Sequence, residues 1–393
     1  MTMKLKLLFL ICFHIILKVD SQNKVSISST EISVLTIGSG SSLNDAFGHN
    51  AFRVNNGLED VVYDYGRFDF NTPGFYLNFA KGKLDYFMGK NSYYDFKEFY
   101  IWQKRSIKEV SLNLNDEQKI KLQNFLELNL KPENKYYAYD FLYDNCSTKM
   151  RDVLIQGIGM NIVFNEPNGF EPTTFRKLIQ QNLDWNSWGS VGIDIALGSV
   201  IDRTATASEH MFLPAYIHEF FQIASIQANP QKPLAKESKL INENSINKTS
   251  NTFFTSPLFI FSLLSFFILY ITYKDHKSKK RSNWLDISLF IFTGLIGVFL
   301  MLLWFATDHT TTAQNYNLLW AFPLNLFVIR QIFKPIPKSW FMRYLKFLII
   351  MLCLLCLQWL VGIQGFAYAL LPLFFAMGIR YIYLIFYFNK SII

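Results

Sequence analysis

From Thr255 to the C-terminus the chain is dominated by apolar stretches, and these restrict its fold more than any other feature. A bilayer core about 30 Å thick takes roughly 20 apolar residues per helical crossing. Five stretches approach that length: 255–273, 286–306, 317–333, 343–361 and 366–387. The connections between them alternate in charge. The first carries Lys274, Lys277, Lys279, Lys280 and Arg281, and the third carries Arg330, Lys334, Lys338, Arg343 and Lys346. The second, 306–317, and the fourth, 362–365, have no Lys or Arg. Basic loops stay cytoplasmic, so the neutral loops and everything before Thr255 are expected outside. The formal net charge of +8 has the same origin, because the region from Lys274 onward holds 12 Lys and Arg against 3 Asp and Glu. Basicity therefore reports topology and gives no support for nucleic-acid binding.

The N-terminus reads as an export signal over 1–21. Lys4-Leu5-Lys6 precedes a short apolar run, and Val19-Asp20-Ser21 precedes Gln22. An uncleaved anchor is the alternative. Residues 22–225 are long enough for one domain with its own core. The polar, Pro/Asn/Ser-rich stretch 226–252 reads as a linker, and 253–393 as an all-α membrane domain of about five helices. Within the soluble part, Ile32–Ile37, Ala51–Val54 and Val61–Tyr65 read as strands. Asn55-Asn56-Gly57 marks a hairpin turn between the last two. Lys83–Met88 and Ser106–Leu114 are weaker strands. Asn115 caps a helix over 116–128, and further helices are expected at 147–156, 173–182 and 208–225. The soluble domain is therefore α+β.

Cysteine usage narrows the chemistry. Cys12 falls in the expected signal, and Cys353 and Cys356 fall in a span. Cys146 is left as the one thiol in the exported domain, a compartment where thiols normally pair. Its place near a helix N-terminus favours the thiolate, and free first-turn amides could hold an oxyanion. Asp144 or Asn145 could cap that helix. His49, after Gly48 and before a strand, offers a base, and Asp64 on the next strand could orient it. Each residue also has a plainer reading: a buried small hydrophobe for Cys146, a structural histidine for His49, a solvated carboxylate for Asp64. His210 and His218 have no partner at zinc-ligand spacing, so no metal or other cofactor is expected.

The segments Gly48–Val54, Tyr63–Phe70, Tyr143–Cys146, Asp202–Thr206 and Met211–Pro214 resemble the Lnb N-terminal periplasmic domain family. Asn315–Trp320 and Pro323–Asn325 are similar to that family's membrane portion. The resemblance implies a bacterial inner-membrane, multi-pass lipoprotein N-acyltransferase with its N-terminal domain in the periplasm. Its partners would be a phospholipid acyl donor, a diacylated lipoprotein acceptor and the membrane. The His-first, Cys-later order also resembles a circularly permuted papain-like, NlpC-like fold. Carried across, Cys146 matches the nucleophile and His49 the base, with Asp64 approximating the third polar position. Asn145 and Tyr65 would contact substrate in the soluble domain, and His309, Asn315 and Asn317 would do so at the outer interface. Aromatics within 68–102 (Phe68, Phe70, Phe75, Tyr76, Phe79, Tyr86, Phe87, Tyr93, Tyr94 and Phe96) could line an acyl channel or fill the core. Two other functions fit the same pair of residues in outline: a membrane-anchored NlpC-like cell-wall peptidase, and a non-enzymatic receptor or scaffold.

Overall fold

The computed structural model describes residues 30–159, 162–227, 230–244 and 253–390. The expected export signal lies outside them. Ten strands are described: β1 Glu31–Ile37, β2 His49–Asn55, β3 Asp60–Arg67, β4 Asp85–Ser92, β5 Ile107–Leu112, β6 Tyr136–Ala138, β7 Ile162–Val163, β8 Ser225–Ile226, β9 Lys232–Pro233 and β10 Ala235–Asn242. The helices of the soluble part are α1 Phe75–Lys81, α2 Tyr93–Trp102, α3 Asp116–Leu130, α4 Cys146–Ile158, α5 Phe175–Gln181, α6 Trp188–Ala196, α7 Ala207–His210 and α8 Pro214–Ile223. They are followed by α9 Pro257–Ser278, α10 Asn283–Phe305, α11 Asn325–Ile332, α12 Ser339–Val361 and α13 Leu371–Lys390.

Seven strands form one antiparallel sheet in the order β10-β5-β1-β2-β3-β4-β6. The expected hairpin is β2–β3, with Ala51 opposite Asp64 and Phe52 opposite Tyr63. Alternation sends Phe52, Val54, Tyr63 and Tyr65 into a core shared with α3, α4 and α8. Ala51 and Val62 face the other way, against Phe96 and Tyr100 of α2. Asn115 caps α3 as expected, its side chain accepting from the Gln118 amide. The 226–252 stretch is not all linker. β9 and β10 lie within it, and β10 pairs with β5 at the sheet edge. Its alternating Lys, Glu and Ser side chains are those of a charged edge strand, which discourages further pairing and reads as a polar linker in sequence. The single helix expected over 208–225 is two, α7 and α8, broken before Pro214.

Among the described residues four helices, α9, α10, α12 and α13, are long and apolar enough to cross a membrane. The third expected span, 317–333, is not a continuous helix. It is a 3₁₀ turn at Tyr316–Leu319, an irregular stretch around Pro323, and the short α11. It still joins the two ends of the bundle: Asn317 bonds the soluble domain, whereas the Ile332 carbonyl accepts from Arg281 in the basic α9–α10 connection. Irregular backbone at membrane depth survives only where protein covers it. Gly297 and Gly294 of α10 provide the cover, since a Cβ on Gly297 would lie 2.2 Å from the Ala321 carbonyl. Asn325 donates to Thr293 and accepts from Tyr344, closing the polar groups at the break. At the opposite end from the soluble domain, buried Arg380 bonds Asp286 at 2.7 Å and Asp275 at 2.8 Å.

The soluble domain is fixed on the bundle by polar contacts. Gly198 and Ser199 donate to the carbonyls of Thr311 and Gln314. Buried Arg176 bonds both Asp194 and Asp202, and Asp202 accepts from the Gly365 amide of the α12–α13 connection.

Candidate active site

Two local structures bring distant residues together at one end of the sheet. β2 opens with His49. Asp64 stands opposite Ala51, so His49 and Asp64 are diagonal neighbours on one sheet face, a separation that long side chains span. His49 Nε2 meets Asp64 Oδ2 at 3.1 Å. Arg67 Nε donates to the other carboxylate oxygen at 2.8 Å. The second structure is the start of α4. Asn145 caps it, its Oδ1 accepting from the Ser147 and Thr148 amides at 2.8 and 2.9 Å. Its Nδ2 donates to the carbonyls of Phe141 and Phe212. Cys146 is thereby held as the first residue of the helix, close enough to the His49 ring for each to shift the other's titration. Gly66, at φ +89° beside the register shift in β3, makes the close approach possible: a methyl placed there would lie 3.6 Å from Cys146 Cβ.

The electrostatics follow from these contacts. Burial pushes the Cys146 thiol up, but the His49 charge, its hydrogen bond, the Asn50 backbone N–H and the Ser147 hydroxyl together leave it below its ordinary value. Burial pulls the His49 imidazole down, but Tyr100, Cys146 and Asp64 raise it well above the ordinary histidine value. Burial also pushes Asp64 up, and His49 and Arg67 outweigh it to leave the carboxyl lowered. The thiol is shifted down and the imidazole up, the directions that favour the thiolate, which is the reactive form of a cysteine nucleophile.

The pair opens on a cavity of about 350 Å³, within the range of small-ligand sites. Phe68, Phe70, Phe75, Tyr76, Phe79 and Tyr86 line it. Of the other expected channel aromatics, Phe96 is core, Tyr93 stacks under Arg53, and Phe87 and Tyr94 lie outside the cavity wall. A second cavity of about 320 Å³ shares Phe47, Phe79, Tyr86, Tyr139 and Phe141 with the first and ends on Asp308–Thr311 of the membrane domain. The two cavities therefore lie side by side between the thiol and the outer end of the bundle.

Several expected site residues turn out to have other duties. Asn145 is buried with its amide fully engaged, so it builds the helix end and has no group left for substrate. The Ser147 and Thr148 amides are likewise taken, which leaves the Cys146 N–H as the first-turn amide outside the cap. Asn315 and Asn317 are buried and donate to the carbonyls of Ile195, Ala196 and Asp194, docking the two domains instead of facing lipid headgroups. His309 Nε2 donates to the Phe79 carbonyl at 3.1 Å and borders the second cavity. Tyr65 is buried, and its hydroxyl has no hydrogen-bond partner among the described residues. Sequence reasoning missed Arg67, although it sits in a quoted motif three residues after Asp64. It also missed Tyr137, whose buried hydroxyl is likewise unpartnered among the described residues and would lie 4.0 Å from a methyl on Gly66. Among the described residues no set of three His, Cys, Asp or Glu side chains is placed to hold a metal ion.

Residues 18–181 match the family model described as the Lnb N-terminal periplasmic domain, and residues 248–391 the one described as the Lnb transmembrane domain. No curated protein and no solved structure matches the chain. The two models follow one another as the sheet domain and the helical bundle do, and they agree with the alternation of basic and neutral loops. The protein is a multi-pass inner-membrane protein with its N-terminal domain in the periplasm, and it belongs to the Lnb family.

Proposed function

We propose that this protein is a lipoprotein N-acyltransferase that works through a thioester on Cys146. The observation that carries the reading is Cys146 and His49 side by side on an aromatic cavity, next to a second cavity that ends on the membrane domain. In the first half-reaction the Cys146 thiolate attacks an ester carbonyl of a phospholipid. The new C–S bond forms, the C–O bond breaks, and the His49 imidazolium gives its proton to the departing lysophospholipid oxygen. In the second, the neutral α-amino group of a diacylglyceryl-cysteine attacks the thioester. The C–N bond forms, the C–S bond breaks, His49 takes the amine proton and the thiolate returns. Asp64, held by Arg67, keeps the imidazole oriented throughout; the ring is neutral while the thioester stands and is charged again once the thiolate returns. This reading assigns the Cys146 N–H, left outside the cap, and the unpartnered Tyr137 hydroxyl to each tetrahedral oxyanion as its donors.

The geometry suits this better than peptide cleavage, because an apolar aromatic cavity favours an acyl chain over a polar peptide. A permuted papain-like ancestry would account for the order of the two residues. The test is incubation of the purified protein with phospholipid and a synthetic diacylated lipopeptide. The expected result is a mass gain of one acyl chain on the peptide's amino group, lost in Cys146→Ala. Hydrolysis of muropeptides with an unmodified lipopeptide would favour the peptidase. Unchanged function in cells carrying Cys146→Ser would favour a scaffold.

A further inference from the structure

Among the described residues, none covers the apolar surface of α1. Tyr76 and Leu77 are 77 % and 59 % exposed, and Phe70 and Phe79 are also largely uncovered. Four large apolar side chains within ten residues form a patch of the kind that marks an interaction site. Its height relative to the bundle is fixed. The Lys81 carbonyl accepts from the Asp308 amide at 2.9 Å, and Gly82, at φ +70°, packs so closely on His309 that a Cβ would lie 3.0 Å from its backbone nitrogen. Asp308 follows Phe305, the last residue of span α10, by three residues. Trp304 and Phe305 stack at that span end with ring centroids 4.6 Å apart, where interfacial aromatics belong. α1 is therefore level with the surface of the outer leaflet. Lys81 and Lys83 follow the apolar face, as expected where an interfacial segment meets headgroups.

The same residues face inward as well. Phe70, Tyr76 and Phe79 line the cavity that holds Cys146 while remaining exposed outside. α1 thus supplies part of the cavity's rim. We propose that α1 dips into the outer leaflet as an interfacial helix and forms the lateral gate through which a lipid acyl chain passes from bilayer to cavity. The occupant of the patch is the phospholipid surface itself, because the patch is continuous with the lipid-facing end of α10. The cargo assigned to the gate rests on the acyltransferase reading, but insertion of α1 does not.

The test uses the full-length protein in phospholipid nanodiscs, with Cys146→Ala and the remaining native cysteines replaced so that acyl transfer plays no part. An environment-sensitive fluorophore is attached at Leu77→Cys. A second variant, Ala80→Cys, samples the same helix face one turn on and guards against a misfolded first variant. Leu58→Cys, in the exposed β2–β3 turn at the far end of the hairpin, is the reference. The expected result at 77 and 80 is blue-shifted emission, quenched by lipids spin-labelled high on the acyl chain and protected from aqueous iodide. That pattern corresponds to burial roughly 5–10 Å into the interface. Position 58 should show the reverse. Iodide-accessible emission at 77 and 80 would overturn the proposal, and so would protection from both quenchers, which would indicate a protein cover. Loss of lipopeptide acylation in a separate assay would count against the function while leaving insertion of α1 standing.

Discussion

Replacing Asp64 by Asn removes the charge opposite His49 while keeping the shape of the side chain. Asp64 lies 3.1 Å from His49 Nε2 and is largely buried, so little solvent screens the pair. An opposite charge at such a distance moves a titration by roughly 1–3 units, about 1.4–4 kcal/mol. Arg67 already neutralises part of Asp64, which places the expected effect in the lower half of that range. The sign is determined. His49 is raised in part by Asp64, so in Asp64→Asn its value falls. The imidazolium that holds the Cys146 thiolate then becomes scarcer, and the thiol moves up. Arg67 left without its carboxylate pulls the thiol the other way, so Asp64→Asn with Arg67→Gln is the cleaner comparison. The assay is the pH dependence of Cys146 alkylation by iodoacetamide, followed by peptide mass spectrometry. The rate at the unmodified site should fall along an acidic limb that lies below that of an ordinary cysteine. In the double variant the acidic limb should move to higher pH by about one unit. A limb that stays in place, or moves to lower pH, would show that Asp64 does not sustain the ion pair.

Three further outcomes are expected. Asn145→Ala removes a cap and leaves the Phe141 and Phe212 carbonyls without their donor. It should destabilise the soluble domain by roughly 3–5 kcal/mol in thermal or denaturant unfolding, with Asn145→Asp less damaging because the acceptor remains. Tyr137→Phe deletes one hydroxyl and should lower kcat about 100-fold with KM nearly unchanged if it binds the oxyanion, whereas a purely structural role would change the melting temperature and leave kcat intact. Asp286→Ala leaves Arg380 buried beside Asp275 alone and should cost about 3–5 kcal/mol, read as faster thermal inactivation in detergent.

Local signals carried much of the fold. The β2–β3 hairpin was legible from alternation and Asn55-Asn56-Gly57, α3 from Asn115, and the start of α4 from the polar run ending at Asn145. Features set by tertiary packing were not. β10 exists because β5 offers an edge, and its charged alternation resembles any polar linker. The break in the third crossing depends on Gly294 and Gly297 of a different helix, which hydropathy cannot register. α1 looked like one more part of an aromatic run until Asp308 and His309 fixed it on the bundle. At the site, Cys146, His49 and Asp64 could be named from residue type and position. Asn145, Asn315 and Asn317 could not be assigned in the same way, because an amide reads alike whether it meets a ligand or a backbone carbonyl.

A covalent acyl-enzyme on Cys146 can be observed directly. Purified protein is mixed with phospholipid vesicles without any acceptor, and the intact mass is recorded. The account predicts one acyl chain added per molecule, mapped to Cys146, released by neutral hydroxylamine and absent in Cys146→Ala. No adduct under conditions that support lipopeptide acylation, or an adduct on another residue, would contradict it.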